Sequence, residues 1–318
     1  MLTAFLTTLE QMARIALFLV LGFSLNKLHI LPKGAGAGIS RLVTNILLPA
    51  MLLHSNMTEF QLSDIGTYSR LVIMGFAMWI ILTLVSFPIC RKLSDGDRLE
   101  RGIYLYGLSF PNSSAVGIPL ALGLLGATGL FRFNLFLVTV VIMTYAWGVG
   151  LFMERKSSNP VKHFLLSMLN PIFISMMIGL LLGILGAKNW MPTILVSFVG
   201  DLGSCFVPMS LLMTGYSVAD YPMGDIFRRP KSYVFCIMRL FILPLLALVL
   251  AKVFRATAEE AVFAALVFSG PSGMNVVVFP ASYGRDCKTG ASIVMLSSMG
   301  ALITAPVIYA LTRYFFGT

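Results

Sequence analysis

Two short stretches of the chain combine small polar side chains with proline and glycine inside otherwise apolar sequence. The first, residues 110–119, reads Phe-Pro-Asn-Ser-Ser-Ala-Val-Gly-Ile-Pro, and the second, residues 269–280, reads Ser-Gly-Pro-Ser-Gly-Met-Asn-Val-Val-Val-Phe-Pro. Proline and glycine interrupt a helix, so backbone amides and carbonyls lose their helical partners there. At membrane depth such groups are tolerated only where they face protein or a polar cavity, and broken helices in transporters form ligand sites. The two stretches are therefore the predicted ligand site.

The chemistry available at these stretches is that of neutral dipoles. A half-helix that restarts after an interruption carries about half a positive charge at its amino end. Neutral hydrogen-bonding side chains beside it can hold an anion that would be costly to bury alone. We predict substrate contacts from Asn112, Ser113, Ser114, Ser272 and Asn275. The alternative is that these side chains only cap the half-helices and satisfy freed backbone groups.

The prolines and glycines of both stretches have a predicted structural role. Proline fixes the interruption, and glycine allows two backbones to approach closely. We predict that these residues shape the crossing rather than bind the ligand. They are Pro111, Gly117, Pro119, Gly270, Pro271, Gly273 and Pro280.

The composition of the whole chain predicts an all-α integral membrane protein. Of its 318 residues, 58% are hydrophobic and only 11% are charged, which is too apolar for a soluble domain. Apolar runs of about 20 residues, long enough to span a bilayer, recur along the whole chain. We predict ten spans, at about 6–27, 38–56, 68–92, 99–124, 130–153, 163–186, 191–218, 232–254, 259–284 and 290–315. The fourth and ninth of these contain the interruptions.

The basic residues predict the orientation of these spans. The loops after spans 1, 3, 5, 7 and 9 hold 15 lysines and arginines, and the opposite side holds six. The positive-inside rule places the odd-numbered loops in the cytoplasm and both termini outside, as expected for a multi-pass protein of the inner (plasma) membrane. Because these charges are topology signals, we do not expect nucleic acid as a partner.

Internal repetition predicts two halves, residues 1–155 and 160–318. Three pairs of landmarks are separated by 161, 159 and 160 positions, namely Gly22 and Gly183, Pro49 and Pro208, and Glu100 and Glu260. Five spans per half is an odd number, so the second half must enter the membrane from the opposite side. Such inverted repeats would bring the broken spans 4 and 9 together near the middle of the membrane.

This layout resembles the auxin efflux carrier family, and specifically its short bacterial members. The resemblance rests on the five-plus-five arrangement, the prolines of spans 2 and 7 and the two interruption motifs, and it covers essentially the whole chain. It implies a scaffold domain of spans 1, 2, 6 and 7 and a transport domain of spans 3–5 and 8–10 that moves as an elevator. It also implies secondary transport of carboxylates such as malate, malonate or an auxin-like acid, and a possible homodimer through the scaffold domain.

Polar residues outside the interruptions are further candidates. Asn45, one turn before Pro49, and the hydroxyl of Tyr145 are predicted to line the same cavity. Asp201 and Arg239 are charged residues inside spans and should not face lipid. Three hypotheses are open for them: they pair across the boundary between scaffold and transport domains, Asp201 binds a proton or sodium ion, or each is satisfied locally by backbone and water.

Rival functions have weaker support in the sequence. It contains no Gly-x-Ser-x-Gly, His-Glu-x-x-His or Walker motif and no paired intramembrane aspartates, so we do not expect an enzyme. The four cysteines lack metal-ligand spacing, and no cofactor is expected beyond possible coupling to H⁺ or Na⁺. Two alternatives stay open: a sodium-coupled symporter of larger amphipathic anions, like the bile-acid symporters, and a channel.

Overall fold

The computed structural model of the protein describes residues 2–32, 35–113, 117–152, 169–219, 229–282 and 288–317. In these ranges every regular secondary-structure element is a helix. The helices of the first half are α1 (Leu2–Lys27), α2 (Ala35–Leu42), α3 (Leu48–Glu59), α4 (Ile65–Leu93), α5 (Arg98–Ser109) and α6 (Ile118–Met143). Those of the second half are α7 (Pro171–Ile184), α8 (Thr193–Ser204), α9 (Phe206–Val218), α10 (Pro230–Ile237), α11 (Leu243–Val253), α12 (Ala258–Phe268), α13 (Asn275–Ser282) and α14 (Lys288–Phe316).

Among the described residues, several π-helical segments extend these helices. The segment Val43–Leu47 joins α2 to α3, Thr144–Gly148 follows α6, and Met238–Ile242 joins α10 to α11. Local sequence explains several helix starts. Asp97 and Asn170 cap α5 and α7 through their side chains, and Thr257 forms a capping box with Glu260 at the start of α12.

Seven helical stretches in the described ranges are long and apolar enough to cross a membrane. The chain is therefore a multi-pass membrane protein. Fewer long stretches are present than the ten predicted spans because α7 has only 14 residues and the interrupted helices are in short pieces, such as α5 and α12 with 12 and 11 residues. In addition, predicted spans 4 and 5 meet within α6, where Gly126 has a φ of 70° that only glycine adopts without strain.

Glycines set the closest helix contacts. A Cβ atom added at Gly22 of α1 would lie 2.0 Å from the carbonyl oxygen of Leu212 in α9. A Cβ atom added at Gly183 of α7 would lie 2.6 Å from the carbonyl oxygen of Asn56 in α3. The backbones at these positions touch directly, so no larger residue fits without moving a helix.

We expect Gly22→Ala to destabilise the protein, because the new methyl group would overlap the Leu212 carbonyl and overpacking costs about 1–3 kcal/mol. Gly38→Ala is the matched control, since nothing lies within 4 Å of its added Cβ. Thermal unfolding in detergent measures both variants. Equal midpoints for the two variants would contradict the close contact of α1 with α9.

Candidate functional site at the helix crossing

The two predicted interruptions are present and contact each other. Helix α5 ends at Ser109 and α12 ends at Phe268, and the residues that follow each end, 110–112 and 269–274, are not helical. The backbone N–H of Asn112 donates a hydrogen bond of 2.8 Å to the carbonyl of Pro271. Pro111 and Ser272 also form an isolated antiparallel bridge. The two polar stretches therefore meet as backbone against backbone.

Arg239 holds the crossing from within the protein. Its side chain is completely buried, and its guanidinium donates from Nε to the carbonyl of Gly270 at 2.9 Å and from Nη1 to that of Leu108 at 2.8 Å. These carbonyls lie at the carboxyl ends of α5 and α12, where the helix dipole places negative charge. One cation therefore binds the ends of both interrupted helices through charge-assisted hydrogen bonds.

Trp79 of α4 makes a related contact. Its buried indole Nε1 donates a hydrogen bond of 3.0 Å to the carbonyl of Ser109, the last residue of α5. Trp79 also packs against Phe110, with the ring centroids 5.6 Å apart. The first interruption is thus fixed by one side chain from α4 and one from the segment between α10 and α11.

A cavity of about 460 Å³ lies beside the crossing. Its described lining residues include no charged side chain. Apolar residues such as Leu48, Phe110 and Phe206 form much of its wall. Its polar lining residues are Ser40, Thr44, Tyr106, Asn112, Ser113, Asn134, Thr144, Ser210, Thr214, Ser217 and Asn275. The cavity can therefore bind a ligand through neutral hydrogen-bonding groups on one side and apolar contacts on the other.

Comparison with known proteins identifies the family. A family model described as membrane transport protein matches residues 7–309. The chain belongs to the membrane transport protein family. It is 22% identical over 316 residues to an uncharacterized transporter of Methanothermobacter thermautotrophicus, covering 95% of this chain and 98% of the relative. It is 24% identical over 300 residues to an uncharacterized transporter of Methanocaldococcus jannaschii, covering 91% and 94%.

Several predicted residues of this membrane transport protein line the cavity. They are Asn112, Ser113 and Asn275, together with Pro111 and Gly273, which were predicted only to shape the crossing. The amide Nδ2 of Asn275 donates a hydrogen bond of 2.7 Å to the hydroxyl of Tyr106. Tyr106 was not predicted as a site residue, and its role depends on this contact with a residue 169 positions away.

Other predicted residues lie elsewhere. Ser272 is completely buried behind the crossing, where its N–H donates to the hydroxyl of Ser297, and it does not line the cavity. Asn45 is exposed and does not line the cavity either. Ser40 and Thr44 line the cavity instead, because residues four apart lie on the same face of a helix. Asn45 follows Thr44 and is therefore rotated about 100° away from that face. Ser114 lies outside the described residues, and only the backbone of Tyr145 is described.

The residues predicted to shape the crossing surround it. Gly270 is in van der Waals range of Pro111, since its added Cβ would lie 3.5 Å from the Pro111 Cβ. Gly117 packs on Phe133 in the same way, at 3.0 Å. The remaining three residues are Pro119 in the first turn of α6, Pro271, which accepts the hydrogen bond from Asn112, and Pro280 inside α13.

The predicted pairing of Asp201 with Arg239 is not present in this structure. Arg239 is enclosed at the crossing and donates to the carbonyls of Leu108 and Gly270. Asp201 is exposed on α8. The Nε and Nη1 groups of Arg239 instead bind carbonyls at the carboxyl ends of two helices.

Sequence reasoning missed Asn134. It lies in α6, its side chain is 4% exposed, and it lines the cavity. The signal available in the sequence is a single amide within the apolar run Phe-Asn-Leu-Phe-Leu-Val. Such a residue also fits a structural role, so only its position on the cavity wall makes it a candidate.

Proposed function

We propose that this protein is a secondary transporter of small organic anions, carboxylates such as malate, malonate or an auxin-like acid, and that it works by alternating access. The observation that carries the proposal is the contact between the two interruptions, from the N–H of Asn112 to the carbonyl of Pro271, at the wall of the cavity. Membership of a transporter family supports it.

The electrostatics of the crossing favour an anion. The first residues of α6 and α13, Ile118 and Asn275, both line the cavity, and each helix presents about half a positive charge at its amino end. The opposite, negative ends of α5 and α12 are covered by Arg239. The field in the cavity is therefore positive, although none of the lining side chains that the structure describes is charged. Neutral groups bind an anion weakly enough to release it, as transport requires.

We further propose that residues 1–155 and 160–318 are inverted repeats that together make ten membrane crossings. Contacts at the crossing support this relation. Trp79 and Arg239 are 160 positions apart, and each donates to the end of the interrupted helix of its own half, at Ser109 and Gly270, which are 161 positions apart. Repeats related by a pseudo-two-fold axis produce such equivalent contacts.

The glycine contacts support the same relation. Gly22 of the first predicted span packs on α9, which belongs to the seventh span, and Gly183 of the sixth span packs on α3, which belongs to the second. If each half is replaced by the equivalent positions of the other half, the contact of Gly22 becomes the contact of Gly183. These four spans are the proposed scaffold domain.

Alternating access is supported by the position of the cavity. Ser40 and Thr44 line it at one end of the stretch Ala35–Glu59, whereas Glu59 at the other end accepts a hydrogen bond of 2.7 Å from Thr128. The cavity lining of this stretch reaches as far as Leu52, which is seven positions, or about 10 Å, from Glu59. The proposed scaffold and transport domains therefore contact each other at the end opposite the cavity. By the count of basic residues, the end with the cavity is cytoplasmic.

A homodimer through the scaffold domain is also proposed. The carboxylate of Asp201 is exposed on α8 within a stretch long enough to span the membrane. An acidic side chain is costly in lipid, by about 2.5–3.5 kcal/mol near the centre of a membrane helix. A second copy that covers this face would shield the carboxylate from lipid.

Counterflow in liposomes tests the proposed function. We expect saturable exchange of at least one of malate, malonate, butyrate and indole-3-acetate by the purified protein. Asn112→Ala should reduce this exchange at least tenfold, because Asn112 lies at the crossing and on the cavity wall. Asn189→Ala is the matched control, since Asn189 is exposed and distant from the cavity lining. Runs with and without sodium and pH gradients identify the coupling ion.

Absence of exchange for all four acids by folded protein would contradict the carboxylate assignment. Ionic currents through single proteins without saturation would instead indicate a channel.

A further inference from the structure

Asn134 has no hydrogen-bond partner although it is buried. Its side chain is 4% exposed, and neither Nδ2 nor Oδ1 has a partner among the residues that the structure describes. The hydroxyl of Ser113, which is 3% exposed, is likewise without a partner. Buried polar groups are nearly always paired, and leaving one unpaired costs about 1–3 kcal/mol. Both side chains line the cavity, so a ligand in the cavity can supply the missing partners.

The amide side chain of Asn275, which also lines the cavity, is already engaged. Asn275 donates its Nδ2 to the hydroxyl of Tyr106, and the backbone of Asn112 bonds to Pro271. The unmet hydrogen-bonding capacity of the cavity wall therefore lies with Ser113 and Asn134.

Ser113 precedes α6, and Asn134 lies in the second part of α6, after the kink at Gly126. A Cβ added at Gly117, the residue before α6, would lie 3.4 Å from the Cβ of Ser113 and 3.0 Å from the ring of Phe133, the neighbour of Asn134. Ile118, the first residue of α6, lines the cavity as well. The two unpaired side chains therefore line the same cavity as the start of α6, where a restarting helix carries partial positive charge.

We propose that Asn134, Ser113 and the amino end of α6 form the subsite that receives the carboxylate group of the transported anion. The amide Nδ2 of Asn134 and the hydroxyl of Ser113 are donors, as a carboxylate requires. This inference rests on the function proposed above. It adds that the carboxylate is bound on the α6 side of the crossing and that Asn134, in the fifth predicted span, contributes to the binding.

Asn134→Leu tests the subsite. Leucine has the same number of side-chain heavy atoms, and removing an unpaired buried polar group leaves stability unchanged or higher. We therefore expect an unfolding midpoint equal to or above that of the wild type without ligand. The rise in midpoint caused by the best acid among malate, malonate, butyrate and indole-3-acetate should be lost, with at least tenfold weaker binding. Ser113→Ala removes only the hydroxyl group, so the new side chain fits the same space. We expect this variant also to bind the acid more weakly than the wild type.

Thr304→Val is the matched control. Thr304 is 4% exposed, its hydroxyl also has no partner, and it does not line the cavity. This variant should keep the wild-type response to the acid. If Asn134→Leu and Ser113→Ala also keep the wild-type rise in unfolding midpoint with the acid, the proposed subsite is wrong, but the proposed function as a carboxylate transporter is not contradicted. If no acid in the panel stabilises even the wild type, the carboxylate function and the subsite both fail.

Discussion

Replacing Arg239 by methionine is expected to abolish transport and to cause the largest loss of stability of any single change in this protein. Arg239 is completely buried and donates to the carbonyls of Leu108 and Gly270. In a continuous helix the Leu108 carbonyl would accept from the N–H of Asn112, but that N–H bonds instead to Pro271. The guanidinium therefore replaces a hydrogen bond that the interruption removes.

The expected size of the effect follows from these two bonds. A hydrogen bond to a charged group contributes about 1.5–3 kcal/mol, so the loss of both should cost about 3 kcal/mol or more. Loss of the cation also exposes the cavity to the negative ends of α5 and α12, which disfavours an anion. Arg239→Lys keeps the charge but cannot donate with the same geometry, so we expect an intermediate result.

Thermal unfolding in detergent and counterflow in liposomes measure both effects. Arg14→Met is the matched control, because Arg14 makes an ion pair with Glu10 in which both side chains are more than 60% exposed, and such pairs contribute little. If Arg239→Met unfolded at the wild-type temperature and transported normally, Arg239 would have no role in holding the crossing.

Cross-linking Glu59→Cys to Thr128→Cys is expected to stop transport almost completely. The hydrogen bond between Glu59 and Thr128 joins α3 to α6 at the end of the protein opposite the cavity. In alternating access the site must open at that end, so the two residues must separate once in each cycle. A short thiol cross-linker would hold the closed arrangement, and we expect at least a tenfold loss of counterflow that a reducing agent reverses.

The experiment uses a background in which the four native cysteines are replaced. The control is Glu10→Cys with Arg14→Cys, a pair four residues apart in α1, because a cross-link within one helix does not restrain two helices relative to each other. Undiminished transport by fully cross-linked Glu59→Cys, Thr128→Cys protein would contradict the proposed movement between α3 and α6.

The features that the sequence predicted correctly are local or compositional. The apolar composition and run lengths predict a membrane protein because a bilayer requires long apolar helices. The position of each interruption follows from Pro111 and Pro271, since a proline and its neighbouring small polar residues disrupt the helix in which they occur. The resemblance to a transporter family, carried by these same motifs, is confirmed by the family match.

The features that only the tertiary structure decided are contacts between residues far apart in the chain. Arg239 contacts Leu108, 131 positions away, and sequence reasoning considered Asp201 as its partner instead. Asn45 faces outward and Thr44 inward, which depends on how the second span is rotated against its neighbours. Asn134 is a lone amide in the sequence and becomes a candidate ligand contact only on the cavity wall.

The physical reason for this division is the range of the interactions. An interruption depends on backbone groups within one or two helical turns, so neighbouring residues determine it. The partner of a buried side chain depends on which helices pack together and at what rotation, and that is set by the burial of many apolar side chains at once. In this protein the sequence alone therefore determines the two broken helices, and the packing of the helices decides which side chains hold the crossing and which face the cavity.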